Sequence, residues 1–331
     1  MWETLAKKNI QRASLFNLIV FHRLSSRTNY LRAIVQKVID QFPCRTLFVS
    51  HDAASSQHYL KTAISVIAQE GNGGIACDSI DIGVAGSEWE RVPFVILPHI
   101  IPDLPVYLLW GEDPIDPHPL FKPLAQLTTR VIFDSESTRN LQKFAKTLLA
   151  LAKNHEIADL NWVRLEGWRE LLASLFKVPE KLKTLKKSSK INLVYNSYKT
   201  ESFCHLNIQS LYLLCWISSR LSIPIGKLHV DHLSWNKNGK ATLKSTSYTD
   251  AHSGSILSLE LETDRFSHIE VTRTKKMAHL ATIKSSTKES CDLPTQFVIG
   301  KIPTGQSLSR ELFFKGTSSF FLKTLQRVAK L

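Results

Sequence analysis

Cysteine is scarce. Five residues among 331 (Cys44, Cys77, Cys204, Cys215 and Cys291) are odd in number and widely spaced, and no C-x-x-C pair occurs. This pattern excludes a disulfide framework and a thiolate zinc site and fits reduced thiols in a cytoplasm. A membrane-spanning run is also missing. The most apolar stretch, Val92–Trp110, carries Pro93, Pro98, Pro102 and Pro105 together with His99 and Asp103. Four prolines break a spanning helix, and an aspartate is costly in lipid. Near the start, Lys7, Lys8 and Arg12 precede the apolar run Leu15–Phe21, but Asn17 interrupts it and no small-residue cleavage site follows. The run therefore reads as a first β-strand and not as a signal peptide.

Phosphate-loop motifs are lacking too. Gly71, Gly73 and Gly74 sit between two strand-like runs, whereas a phosphate loop needs a strand before it and a helix after it. A hairpin turn is the favoured reading. No Walker sequence and no G-x-S-x-G elbow is present, so no nucleotide or other cofactor is expected. The twelve histidines are densest at His229-Val230-Asp231-His232. On a strand, residues three apart point to opposite faces, and no third ligand stands at useful spacing, so the segment reads as an exposed polar loop and no metal is expected.

What is present is an ordinary globular balance, 43% hydrophobic and 21% charged, in a chain too long for one core. The net charge of +13 is uneven: residues 1–180 carry 19 basic and 19 acidic side chains, residues 181–331 carry 23 and 10. The whole excess lies in the second half, which favours a boundary near residue 180 and acidic partners for that half.

Periodicity organises the chain as an α/β protein. Leu15–His22 reads as a buried strand, Thr28–Phe42 as a helix with Tyr30, Leu31, Ile34, Val35, Val38, Ile39 and Phe42 at helical spacing, and Thr46–Ser50 as a second strand. This unit predicts a parallel, doubly wound sheet. Leu60–Ala68 and Ile75–Ile82 alternate as a hairpin around Glu70–Gly74. Ser87-Glu88-Trp89-Glu90 has the capping-box pattern ahead of Val92–Ile101. Strands are expected at Pro105–Trp110 and Arg130–Phe133, and helices from Asp116-Pro117 through Leu127 and over Ser137–Lys153. Residues 157–178 read as a bridge containing an amphipathic helix, and Lys181–Lys190 as a basic polar linker.

The second half opens with a strand, Ile191–Tyr198, and a very apolar helix, Phe203–Leu221. Four strands at Ala241–Thr249, Ser255–Glu262, Ser267–Arg273 and Ala278–Lys284 then predict an antiparallel sheet with one wet face, closed by a helix over Ser318–Ala329. The expected organisation is a Rossmann-like α/β domain over residues 1–156, whose mostly parallel sheet is covered by helices. A bridging helix and linker follow over 157–190, and then an α+β domain with an antiparallel sheet over 191–331.

No catalytic constellation stands out. Asp113 and Asp134 follow strands where α/β enzymes place ligands, yet each precedes a helix, and aspartate is a preferred cap there. A sugar-phosphate enzyme using these two acids is the alternative reading. Lys181, Lys183, Lys186, Lys187 and Lys190 would attract phosphates, but no nucleic-acid-binding motif accompanies them, so a solvated segment is favoured over a nucleic-acid site. Trp89, Trp110, Trp162 and Trp168 suit either core or protein-interface roles.

Specific strings carry a family resemblance. Leu97-Pro98-His99-Ile100-Ile101-Pro102-Asp103-Leu104-Pro105-Val106-Tyr107-Leu108-Leu109-Trp110 resembles the central signature of the OpcA family, the glucose-6-phosphate dehydrogenase assembly proteins. Three further segments resemble that family in order: Arg130–Ser135; Asp159–Leu165 with Trp168-Arg169-Glu170-Leu171-Leu172; and Cys291-Asp292-Leu293-Pro294 with Leu308–Leu312. The resemblance implies a non-catalytic cytoplasmic partner of glucose-6-phosphate dehydrogenase that assists its assembly or activity in the oxidative pentose phosphate pathway. It points to Asp103, Trp110, Trp162, Arg164, Trp168 and Arg169 as interface or domain-junction positions.

Overall fold

The computed structural model describes residues 11–68, 75–200, 205–236, 238–263, 267–300 and 306–331. Its described residues divide into two units: residues 11–138, 150–160 and 306–317 in the first, and 139–149, 161–300 and 318–331 in the second.

The first unit is built on an eight-stranded sheet. Its elements are β1 (Gln11–Arg12), β2 (Asn17–Arg23), α1 (Thr28–Ile39), β3 (Arg45–Asp52), β4 (Tyr59–Ala68), β5 (Ile75–Ala85), α2 (Val92–Ile96), β6 (Val106–Trp110), α3 (Phe121–Gln126), β7 (Arg130–Phe133), and, beyond helix α4 (Leu141–Leu151), β8 (Glu156–Asp159). The main strand order is β5-β3-β2-β6-β7-β8, all parallel, with β4 antiparallel on β5. Chain order reverses between β2 and β6, the point at which doubly wound sheets open a crevice. The strands read as near-continuous apolar runs because both faces are covered. Leu18, Val20, Phe48, Leu109 and Ile132 pack with Leu31, Ile34, Val35 and Val38 of α1 on one face. On the other, Phe21 stacks on Trp110, and Phe121 packs edge-on against Trp110 and tilted against Phe133.

The second unit contains α5 (Leu160–Arg164), α6 (Glu166–Leu175), α7 (Pro179–Lys187), β9 (Lys190–Asn196), α8 (Ile208–Leu221), β10 (Ile225–His229), β11 (His232–Trp235), β12 (Gly239–Thr246), β13 (Ile256–Glu262), β14 (His268–Arg273), β15 (Leu280–Ser286) and β16 (Thr295–Val298). Helix α9 (Gln306–Phe313) returns to the first unit, and α10 (Ser319–Val328) closes the second. The second sheet runs β10-β11-β12-β9-β13-β14-β15-β16. It is mixed: β9 and β12 are parallel and the other pairs antiparallel. Helix α8 is buried nearly all round, as its composition predicts. No described helix is long and apolar enough to cross a membrane.

Several local expectations are corrected. The Lys181–Lys190 segment is helix α7 up to Lys187, started by Pro179 at its first turn and held by buried Leu185. Residues 157–159, read as the start of the bridge, belong instead to edge strand β8, paired with β7. The capping box at Ser87 does not form. Gly86 has φ +63°, a 3₁₀ turn covers Gly86–Arg91, and the Ser87 hydroxyl lies 3.1 Å from His58 Nδ1. The helix expected from Asp116 begins only at Phe121. Val230-Asp231 turns the chain back tightly, so His229 and His232 face each other as cross-strand partners with rings 5.6 Å apart, where divergence was expected. The turn expected at Glu70–Gly74, and the first residues of the Phe203 helix, lie outside the described residues.

Candidate functional site

The crevice at the carboxyl ends of β2, β3, β5 and β6 is where this strand order accommodates ligands. The end of β2 and the loop after it read His22-Arg23-Leu24-Ser25-Ser26-Arg27 and carry no glycine. Arg27 stands at the N-cap of α1 without a side-chain cap bond. Its guanidinium donates to Asp134 at 2.9 Å, and both side chains are buried. Tyr30 donates to the same Asp134 oxygen at 3.2 Å, while the other oxygen accepts the Glu136 N–H. Asp134 is thus both a cap, as expected from its position, and a buried counter-ion. Asp113 accepts from the Ile115 N–H at 3.1 Å and from the Thr138 hydroxyl. Glu112 accepts the Arg23 N–H at 2.7 Å across the mouth of the crevice, and burial pushes its carboxyl above the usual range.

Histidines surround this mouth. His22 donates through Nδ1 to the Arg23 carbonyl at 2.8 Å and accepts the Ser50 hydroxyl at Nε2 at 2.9 Å, and burial lowers its pKa. His118 accepts the Leu120 N–H and lies against the rings of Phe21, His51 and Trp89. Burial first, then His51 and Arg23, lower its pKa to about 4. A neutral imidazole cluster, with its hydrogen bonds directed at backbone and hydroxyl groups, fixes loops and leaves the imidazolium form disfavoured.

The six residues singled out by the sequence fall in three places. Asp103 is exposed on the turn before β6 with φ +65°, and Trp110 is buried at the far end of the same strand, so the structure does not bring these two together. Trp110 stacks on Phe21 at 4.3 Å. In the second unit the Arg169 guanidinium lies 3.6 Å over the Trp162 ring and also donates to the Trp162 carbonyl. Arg164 donates to Asn161 at 2.9 Å, and Trp168 is buried beneath Arg273, 6.0 Å away. The rings of Trp110, Trp162 and Trp168 are buried. Asp103 is exposed, and Arg164 and Arg169 are half-buried.

Sequence reasoning missed the ion pairs that hold the signature segment. Arg12 and Arg45 both bind Asp78, and Arg45 also donates to the His99 carbonyl at 2.8 Å. Asn17, fully buried, exchanges two hydrogen bonds with the backbone of Ile101, at 2.8 and 3.1 Å. The polar Asn17 inside an apolar strand was the available signal. On the open face of the second sheet, Glu260, Glu262 and His268 cluster within 4.8 Å. Asn192, His268 and Lys190 already engage the two carboxylates.

Residues 35–152 match the glucose-6-phosphate dehydrogenase subunit N-terminal domain, and residues 155–321 match the corresponding C-terminal domain. A relative from Synechocystis sp., named putative OxPP cycle protein OpcA, is 30% identical over 183 residues, covering 54% of this chain and 37% of its own length. One of the same name from Nostoc punctiforme is 31% identical over 151 residues, covering 44% and 30%. The matched stretches thus span about a third of the length of these curated relatives. The solved structure of KijD10, a 3-ketoreductase from Actinomadura kijaniata, superposes with TM-score 0.54 at 11% identity over 96% of this chain and 95% of that one, a likeness of fold alone. With both domains matched in order along its length, this chain belongs to the OpcA family.

Proposed function

We propose that this chain is a cytoplasmic, non-catalytic partner of glucose-6-phosphate dehydrogenase that promotes its assembly or shifts it toward an active state, serving the oxidative pentose phosphate pathway. The observation that carries this reading is the match of both halves to the domains described as glucose-6-phosphate dehydrogenase subunit. The crevice chemistry supports it. Asp134 is committed to Arg27 and Tyr30, Glu112 to a backbone amide, and the loop after β2 lacks the glycines that let a pyrophosphate approach. The mechanism is a population shift: the chain binds the competent oligomer of the dehydrogenase more tightly than the inactive form. A preference of about 1.4 kcal/mol changes the ratio of the two forms tenfold. Mixing the purified chain with the dehydrogenase of the same organism tests this by size-exclusion chromatography with light scattering. A joint peak, or a larger dehydrogenase oligomer, is expected. Unchanged elution and mass of both proteins refute the proposal.

A further inference from the structure

The second unit holds a cation without a counter-ion. Arg273 ends β14 and shares a strand face with Ile269 and Val271, which are buried. Its half-buried guanidinium donates from Nε to the Ile256 carbonyl at 3.1 Å and from Nη1 to the Ala278 carbonyl. No carboxylate pairs with it, and three of its five N–H groups have no acceptor. Burial lowers its pKa to about 10, with Tyr248 acting the other way. A charge withdrawn from water is costly unless an opposite charge meets it.

The groups around Arg273 are donors or cations as well. The Trp168 ring lies 6.0 Å from the guanidinium, and its indole N–H is buried without an acceptor. The Tyr248 oxygen accepts the Lys276 N–H at 3.3 Å, and its own proton is given to no acceptor. The turn 274–279 carries Lys275, Lys276 and His279 and no acid. Both lysines are exposed, and neither is in an ion pair. Asp250, two residues beyond Tyr248, accepts from Thr249 and does not pair with Arg273.

We infer that Arg273, the Trp168 N–H and Lys276 form a binding site for a small oxyanion, the phosphate or carboxylate group of a small-molecule ligand. Donors and positive charge without an acceptor select a group that only accepts. The planar edge of a guanidinium matches two oxygens of either group. The exposed lysines of the turn mark the side from which the ligand enters. The site is preorganised, because two carbonyls hold the guanidinium and Tyr248 holds the turn at Lys276, whose φ is +64°. It does not depend on the partner proposed above.

The test is isothermal titration of the full chain with inorganic phosphate and, separately, acetate, at neutral pH and in chloride of matched ionic strength. Wild type is expected to bind one anion saturably, with Kd about 1 mM or below. Arg273→Gln is expected to weaken binding about tenfold or more, and Trp168→Phe, which keeps a ring and removes the N–H, about fivefold. Lys276→Gly suits the positive φ, so it is expected to melt like wild type while binding about threefold more weakly. Lys183→Gln, which removes one charge on α7, is expected to change nothing. Trp168→Phe and Lys276→Gly decide if Arg273→Gln misfolds. Binding of either anion with these losses supports the site, and the tighter of the two identifies the ligand's group. If neither anion saturates, or the three variants bind as wild type does, the inference is overturned and Arg273 serves only to fasten two carbonyls. If neither anion saturates and Arg273→Gln weakens binding of the dehydrogenase, the occupant is a carboxylate of the partner protein and the inference is likewise overturned.

Discussion

Arg130 on β7 is 2% exposed and bonds the buried carboxylate of Glu311, five residues or fewer from two further acceptors, the Phe314 carbonyl at 3.2 Å and the Gly316 carbonyl. One guanidinium therefore fastens α9 and the turn after it to the first sheet, with Phe314 lying 5.5 Å from the charge. Arg130→Met keeps most of the volume and removes the cation, leaving Glu311 buried without this partner. Breaking a buried pair from one side costs about 3–5 kcal/mol. For a unit of this size each kcal/mol lowers Tm by about 2–4 °C, so the first unit is expected to melt some 6–20 °C earlier. The double variant Arg130→Met/Glu311→Leu removes both charges and is expected to recover part of the loss. Thermal and urea melts followed by circular dichroism, with limited proteolysis near Phe313, read the effect. A loss below about 1 kcal/mol for Arg130→Met, or a double variant no more stable than the single, refutes the anchoring role.

Other outcomes follow from single contacts. A Cβ at Gly167 would lie 1.7 Å from the Ile299 carbonyl oxygen, so Gly167→Ala is expected to cost about 1–3 kcal/mol, read as a lower Tm of the second unit. The pKa of His118 falls from 6.5 to about 4, so the unfolded chain takes up its proton first. Stability from His118 is complete above about pH 6.5 and is lost as pH falls toward 4. His22 and His51 are lowered in the same direction by burial, whereas Glu112 is raised and acts with the opposite sign. His118→Gln is expected to flatten the fall in Tm across that interval, and an unchanged slope contradicts the assignment. Asp134→Ala removes the buried carboxylate that Arg27 donates to and is expected to cost about 3–5 kcal/mol. A variant that melts like wild type shows that Asp134 is not the counter-ion described.

The elements with the strongest patterns were legible in the sequence. Arg130–Phe133 is β7 as read, the Thr28 helix and the Tyr59–Ala85 hairpin strands lie within a few residues of expectation, and α8 is buried as its apolar circumference requires. Short elements without a run of large apolar residues were not. Glu156–Asp159 offers only Ile157 and Ala158, where the equally short β7 carries Val131-Ile132-Phe133, and the β10–β11 hairpin hides its turn in Val230-Asp231, which carries neither glycine nor asparagine. At the site, Asp134 was correctly weighed as a cap, but its partners Arg27 and Tyr30 lie over a hundred residues away in sequence. Tryptophans drew attention as anchors because composition cannot separate a core ring from a contact ring. The ion pairs that hold the signature segment went unnoticed because Arg12, Arg45 and Asp78 meet only once β1, β3 and β5 align.

Docking to a dehydrogenase, and not turnover of substrate, is the function proposed for this chain. The most direct measurement titrates the chain into glucose-6-phosphate dehydrogenase of the same organism while NADPH formation is followed, alongside the chain alone. A saturable rise in dehydrogenase activity and no turnover by the isolated chain are expected. An unchanged dehydrogenase rate, or turnover by the chain itself that Asp134→Ala abolishes with the fold intact, contradicts it.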